Sequence, residues 1–246
     1  MGARRWGVAE RSLIIVPAFS SLQRLVITIA VLASFVTFLD GTVVTVALPA
    51  ISEELGGGIT TQQWVVDAYL ITLSALILLA GSLSDAYGRV RIMRIGLIAF
   101  GIASIAVAAA PEPITLIIAR ALQGAAGALL VPSSLALIMA TMRGKLQSRA
   151  IGLWTAFTTG AQLAGPLLGG LFVDLLSWRF VFLINVIPIG ITLFLLARLQ
   201  LPEHPRAPAS TGGAGCCAQS ASEQWCSHSS NSRTLAGPRP RSGCRA

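Results

Sequence analysis

Two ionisable residues of this chain sit where an ionised group is hardest to keep. Asp40 and Arg120 each lie inside a long apolar run. At mid-bilayer a charged side chain costs at least about 2.5–3.5 kcal/mol, so such residues pair, line a polar cavity or carry protons. Asp40 falls about ten residues before the outer end of its run, and Arg120 about seven after the outer start of its own. At a helical rise of about 1.5 Å per residue these are depths of roughly 15 and 10 Å. The runs are antiparallel, yet the charges reach a similar level. A direct or water-bridged pair is open to them if the helices are neighbours. Two chemistries follow: a carboxylate that takes up and releases a proton, or an ion pair that fixes helix register. The proton relay is the preferred reading. Asp67, Arg94, Asp174 and Arg198 lie near run ends, where a long side chain reaches water.

Small residues give a second pattern. Ala161, Gly165 and Gly169 recur at every fourth position, with Pro166 and Gly170 beside them. Arg120, Gln123, Gly124 and Gly127 repeat the theme in the preceding run. Small residues at that spacing let helix backbones approach closely. Pro166 also removes a backbone donor and bends its helix. Spacing alone makes all these glycines ordinary helix packing.

The elements that must position these groups are six apolar runs: 25–50, 64–83, 92–110, 114–141, 150–176 and 180–199. Each has about the 20 residues a helix needs to cross the hydrocarbon core. They are apolar all round, unlike a surface helix, and too long for barrel strands. Of the 246 residues, 54% are hydrophobic and only 11% charged, and mean hydropathy is +0.75. Soluble domains carry about 25% charged residues. The fold class expected is therefore an all-α polytopic membrane protein with a six-helix bundle over 22–201.

Lys and Arg orient it. Arg4, Arg5, Arg11 and Arg24 precede the first run; Arg89, Arg91 and Arg94 follow the second; Arg143, Lys145 and Arg149 follow the fourth; Arg198 closes the sixth. The loops between hold Glu53 and Glu54, then Glu112, then the lone Arg179. Positive charge marks the cytoplasmic side. Both ends are then cytoplasmic, as six spans require, in a cell membrane. The net charge of +8 is largely a matter of topology, so a nucleic-acid partner is not expected. Residues 1–21 have the outline of a signal peptide, but Pro17 interrupts the apolar stretch and no small-residue cleavage site follows. They are read as a cytoplasmic tail.

The motifs carried by these runs resemble those of the major facilitator superfamily, and most closely the N-terminal half of its fourteen-helix drug:proton antiporter branch. LDGTVVTVALPAI, Leu39–Ile51, is similar to the branch signature, with Asp40 as its acidic residue, Pro49 closing the helix and Thr45 where Asn is usual. GSLSDAYGRVR, Gly81–Arg91, resembles the cytoplasmic gating motif through Gly81, Asp85, Gly88 and Arg89, with Ala86 and Val90 where basic residues are frequent. ARALQGAAGA, Ala119–Ala128, matches the buried-arginine motif through Arg120, Gln123 and Gly124. AQLAGPLLGG, Ala161–Gly170, resembles the antiporter motif through Gly165, Pro166, Gly169 and Gly170, with Ala161 where Gly is usual. WRFVFLINVIPIG, Trp178–Gly190, is similar to the branch's sixth helix.

The resemblance implies alternating access, two six-helix halves rocking about a midplane site. It implies that Asp40 and Arg120 couple protonation to drug movement. Asp85 and Arg89 would lock one state from the cytoplasmic face, and Gly165 and Pro166 would bend and seal the fifth helix. It implies efflux of small hydrophobic or cationic compounds, with the proton gradient as energy source and no cofactor. The partners implied are lipid, a small-molecule substrate, and a second copy or a missing C-terminal half.

Residues 202–246 differ in kind. Ala, Gly, Pro, Arg, Ser and Cys fill 34 of the 45 positions, and all four cysteines and both histidines lie there. Trp225 and Leu235 are the only large apolar residues, too few for another span. The cysteines lack zinc-ligand spacing, so no metal is expected. A low-complexity, disordered cytoplasmic tail is expected, with two origins open to it: a genuine tail with reduced thiols, or, the preferred reading, a reading-frame shift in GC-rich DNA. A truncated transporter is then the expected reading. The competing reading is a membrane fragment that does not transport, or a regulatory half that binds another membrane protein. An enzyme is not expected, since the bundle lacks His and Cys altogether.

Overall fold

The computed structural model describes residues 18–199. The expectations placed on Arg4, Arg5, Arg11, Arg206, the histidines, the cysteines and the 202–246 tail lie outside the described residues.

The chain enters its first helix through a reciprocal cap. Ser20 Oγ accepts from the Gln23 amide at 3.3 Å while Gln23 Oε1 accepts from the Ser20 amide at 3.0 Å. Helix α1 then runs Ser21–Leu55. Gly56, Gly57 and Gly58 all have positive φ, a conformation only glycine adopts freely. They reverse the chain into α2, Gly58–Tyr87. Gly88, at φ +96°, turns it again into α3, Arg89–Ala108. Helix α4, Pro113–Thr141, begins with Pro113, whose missing N–H costs nothing at that position. Helix α5 is Gly144–Leu175, α6 Trp178–Leu183 and α7 Val186–Arg198.

Among the described residues six stretches are long and apolar enough to cross a membrane, α6 and α7 together making the sixth. Helix α4 packs against α2, α3 and α1, and α1 packs against α5 as well. Helices α1 and α4 are thus the most enclosed. The outward faces of α2 and α5 present Leu70, Ile71 and Leu78, and Leu163, Leu167 and Leu171.

The core divides into two apolar clusters. One joins Val26, Ile29 and Val36 of α1 to Met93, Leu97, Phe100, Leu130, Leu137 and Leu196. The other joins Val43, Val44, Ala47 and Ile51 to Val107, Leu116, Trp178 and Phe182. Along α1, α3, α4 and the α6–α7 segment, the residues between the two clusters include Asp40, Ser104, Arg120, Gln123 and Asn185. A polar layer is therefore sandwiched between two apolar ones.

The structure departs from the sequence expectation in three places. Pro49 does not close the first helix: α1 continues six residues beyond it. Proline removes one hydrogen bond and keeps a helical φ. Ala47 and Ile51, packed in the second cluster, hold the following turn in place. Second, α2 and α5 begin several residues before their apolar runs, at Gly58 and Gly144. Hydropathy marks the hydrocarbon layer, while the helices extend past it into polar first turns. Third, the sixth run is not one helix: it breaks at Ile184–Asn185. Pro188 has no amide to give the Ile184 carbonyl, which takes the Ile187 amide at 3.4 Å instead.

Candidate functional site

The polar layer is built on the Asp40 carboxylate. Arg120 Nη1 donates to Asp40 Oδ2 at 2.6 Å, and both side chains are fully buried. Gln123 Nε2 donates to Asp40 Oδ1 at 2.9 Å, and Asn185 Nδ2 donates to the same oxygen at 2.7 Å. Gln123 lies three residues after Arg120, so the two share one face of α4. Its Oε1 accepts from Arg120 Nη1 at 2.8 Å, and its Nε2 also donates to Ser104 Oγ at 2.9 Å. Arg120 Nε donates to the Val65 carbonyl of α2 at 3.1 Å. Its guanidinium carbon lies 4.3 Å from the Tyr69 ring centre and 5.7 Å from that of Phe182, within cation–π range. Tyr69 is fixed in turn by donating its hydroxyl to the Thr37 carbonyl at 2.9 Å.

Five of the six spans thus converge on one ion pair. Among the described residues Asp40 and Arg120 are the only buried charged groups. Two charges taken from water lose several kcal/mol each, and only close geometry with further hydrogen bonds offsets that loss. Here the carboxylate has three donors. Among the described residues two buried side-chain atoms have no partner, Arg120 Nη2 and Asn185 Oδ1.

Glycines set how closely the helices carrying these groups approach. A Cβ on Gly124 would collide with the Tyr69 carbonyl and Thr72 Oγ1 of α2. A Cβ on Gly165 would collide with Thr42, and one on Gly169 would press on the Val43 carbonyl of α1. Ala161 is buried, while Gly170 only just reaches Val46. Pro166 sits inside α5, which continues through it.

At the far end of α2 the Asp85 and Arg89 side chains pair at 3.2 Å across the Gly88 turn. Arg89 also donates to the Ala136 carbonyl of α4 at 3.1 Å. Asp85 is 67% exposed, so this pair is a weak contact. Gly81 has open space beside it. At the opposite end Arg179 pairs with Glu54 at 2.8 Å and donates to the Ala108 carbonyl at 3.0 Å. Trp178 Nε1 donates to Glu54 at 2.6 Å. The lone basic residue of that loop therefore ties α1, α3 and α6 together.

The structure brings Asp40, Arg120 and Gln123 into one cluster. Gly81, Asp85, Gly88 and Arg89 form a separate group, and Gly165 and Gly169 line the α1–α5 contact, with Ala161 buried one turn before them on α5. Sequence reasoning missed Tyr69, Ser104 and Asn185. For Asn185 a signal existed: an amide in an apolar run, three residues before a proline.

A family model described as Major Facilitator Superfamily matches residues 30–240. The puromycin resistance protein of Streptomyces alboniger is 42% identical over 176 residues, 71% of this chain and 34% of that protein. The cephamycin export protein of Amycolatopsis lactamdurans is 38% identical over 182 residues, 73% of this chain and 37% of that protein. A multidrug resistance protein of Mycobacterium tuberculosis is 41% identical over 173 residues, 70% and 32% of the two chains. The chain thus spans about a third of the length of the curated relatives it matches. Among solved structures, a D-xylose-proton symporter superposes with TM-score 0.60 at 18% identity, covering 84% of this chain and 53% of the symporter. A peptide transporter superposes with TM-score 0.64 at 14% identity, covering 82% and 45%. At these identities the likeness is one of fold.

Proposed function

This chain belongs to the Major Facilitator Superfamily, and from that premise we propose that its bundle is the N-terminal half of a drug exporter driven by proton exchange. The carrying observation is the sealed Asp40–Arg120 pair, a carboxylate whose charge every neighbouring span is arranged around. Protonating Asp40 cancels one charge and releases the guanidinium from it. That is a local electrostatic change able to bias a two-state bundle. The relatives named for antibiotic resistance or export support a small-molecule cargo moved outward.

In this reading the two halves rock about a midplane cavity. The second wall comes from a C-terminal half or a second copy, seated on the apolar faces of α2 and α5. Asp85, Arg89 and Gly81 act at the cytoplasmic rim as a gate, and Gly165 and Pro166 shape the α5 seal. The proton gradient supplies the energy, with no cofactor and no covalent chemistry.

A chimera tests this. Residues 18–199 replace the matched segment of the Streptomyces alboniger protein, in a host stripped of efflux pumps. Puromycin export that stops when the proton gradient is collapsed is the expected result. Export that survives the collapse would sink proton coupling.

Orientation is the second element. We place Glu112 outside and Lys145 inside, because basic residues gather at alternate loops. Single cysteines at those positions, in a chain lacking its own four, should differ in labelling by an impermeant thiol reagent. Position 112 should react in intact cells and position 145 only after permeabilisation. Labelling of 145 in intact cells would reverse the topology.

A further inference from the structure

A buried carboxylate that takes up a proton needs two sets of partners, because the ionised form only accepts hydrogen bonds and the protonated form must also donate one. Around Asp40 the first set is present in full: Arg120 Nη1, Gln123 Nε2 and Asn185 Nδ2 all donate to it. The second set is narrower. A guanidinium has no acceptor. Gln123 is fixed in one orientation, because turning its amide over would set its NH2 against Arg120 Nη1 and withdraw the donor from Ser104. Asn185 is not fixed in this way. Its Nδ2 faces Asp40 Oδ1 at 2.7 Å, and its Oδ1 is buried with no donor. Its backbone lies in the break between α6 and α7, outside the regular helices on either side.

We propose that Asn185 is the positioning residue that lets Asp40 hold a proton: its amide donates to the carboxylate and, when a proton from water binds Asp40 Oδ1, turns over so that Asn185 Oδ1 accepts the new O–H. The turn exchanges one unpartnered amide atom for another and breaks no other side-chain hydrogen bond. The proton stays on Asp40 Oδ1, and no other group changes charge. The titratable and charged groups facing Asp40 are Arg120 of α4 and Tyr69 of α2, whose ring lies against the guanidinium. The α3 and α6–α7 segments present the neutral Ser104 and Asn185, and the charged residues of α5 are all exposed. This deepens the proton-coupling reading and rests on it. Asn185 does not touch cargo; it acts through Asp40.

Infrared difference spectroscopy on the full 246-residue chain in lipid nanodiscs, stepped from neutral to acid pH, tests the inference. A carboxylic C=O band that disappears in Asp40→Asn identifies protonated Asp40. In Asn185→Leu that band should move to higher wavenumber, as the O–H loses its acceptor. A second measurement avoids any folding defect of that variant. Asn185 and Asn231 are the only asparagines, so carbon-13 label on the asparagine amide carbonyl of an Asn231→Ser chain reports on position 185 alone. Its band should fall in wavenumber as Asp40 protonates. An Asp40 band unmoved by Asn185→Leu, with a labelled amide band that stays in place, overturns the inference and leaves proton coupling standing. No Asp40-dependent band at any pH overturns both.

Discussion

Arg120→Ala should be among the most damaging single substitutions in the chain, lowering stability by about 3–5 kcal/mol. It removes the partner of Asp40 and leaves a fully buried carboxylate with two neutral donors only. Asp40→Asn should cost a similar amount from the other side, stranding a buried guanidinium. The informative comparison is the double variant. Replacing a buried pair by neutral groups of similar volume is often neutral or stabilising. Asp40→Asn with Arg120→Met keeps an acceptor for Gln123 and Asn185 and removes both charges. Thermal unfolding followed by circular dichroism should place the double variant near the native chain, and each single variant well below it. Additive losses in the double variant would show that the two side chains are not energetically coupled.

Gly124→Ala should also be costly, although it adds only one methyl group. The new Cβ would overlap the Tyr69 carbonyl and Thr72 Oγ1, and backbone cannot rotate away as a side chain can. Overpacking of this kind costs about 1–3 kcal/mol. The consequence reaches the site, because α2 carries both the Val65 carbonyl that accepts from Arg120 and the Tyr69 ring against its guanidinium. Gly160→Ala is the control: nothing lies within 4 Å of that position, so it should leave the melting temperature unchanged or raise it. Equal behaviour of the two variants would refute the close α2–α4 approach as the role of Gly124.

Hydropathy located the six spans because a helix that crosses lipid must satisfy its backbone internally and be apolar for about 20 residues. It failed at the sixth because it averages over about nineteen residues, and one asparagine among apolar neighbours does not lower that average enough to show. The break there depends on a hydrogen bond that Pro188 cannot make, a local backbone effect. The level of Asp40 and Arg120 was legible from counting along antiparallel helices. That Gln123 and Asn185 share the same carboxylate was not. It depends on the rotation of α4 and of the α6–α7 break about their axes, set by the packing of Val107, Leu116 and Phe182 on one side and Phe100 and Leu130 on the other. Tyr69 was hidden for the same reason. An aromatic residue in an apolar span looks like core until its hydroxyl finds the Thr37 carbonyl. Pro49 misled because a proline near the end of an apolar run normally ends it, whereas the packing around Ile51 carries α1 onward.

On the proposed function, charge on Asp40, balanced by Arg120, couples proton movement to cargo. The most direct measurement uses the chimera described above, reconstituted in vesicles with a pH-reporting dye inside. Puromycin applied on the cargo-loading side should drive a matching proton movement in the opposite direction with the native pair. The Asp40→Asn, Arg120→Met chimera, folded as its melting curve requires, should show none and should not concentrate puromycin on an imposed proton gradient. A folded double variant that exchanges protons for puromycin at the native rate would contradict the account.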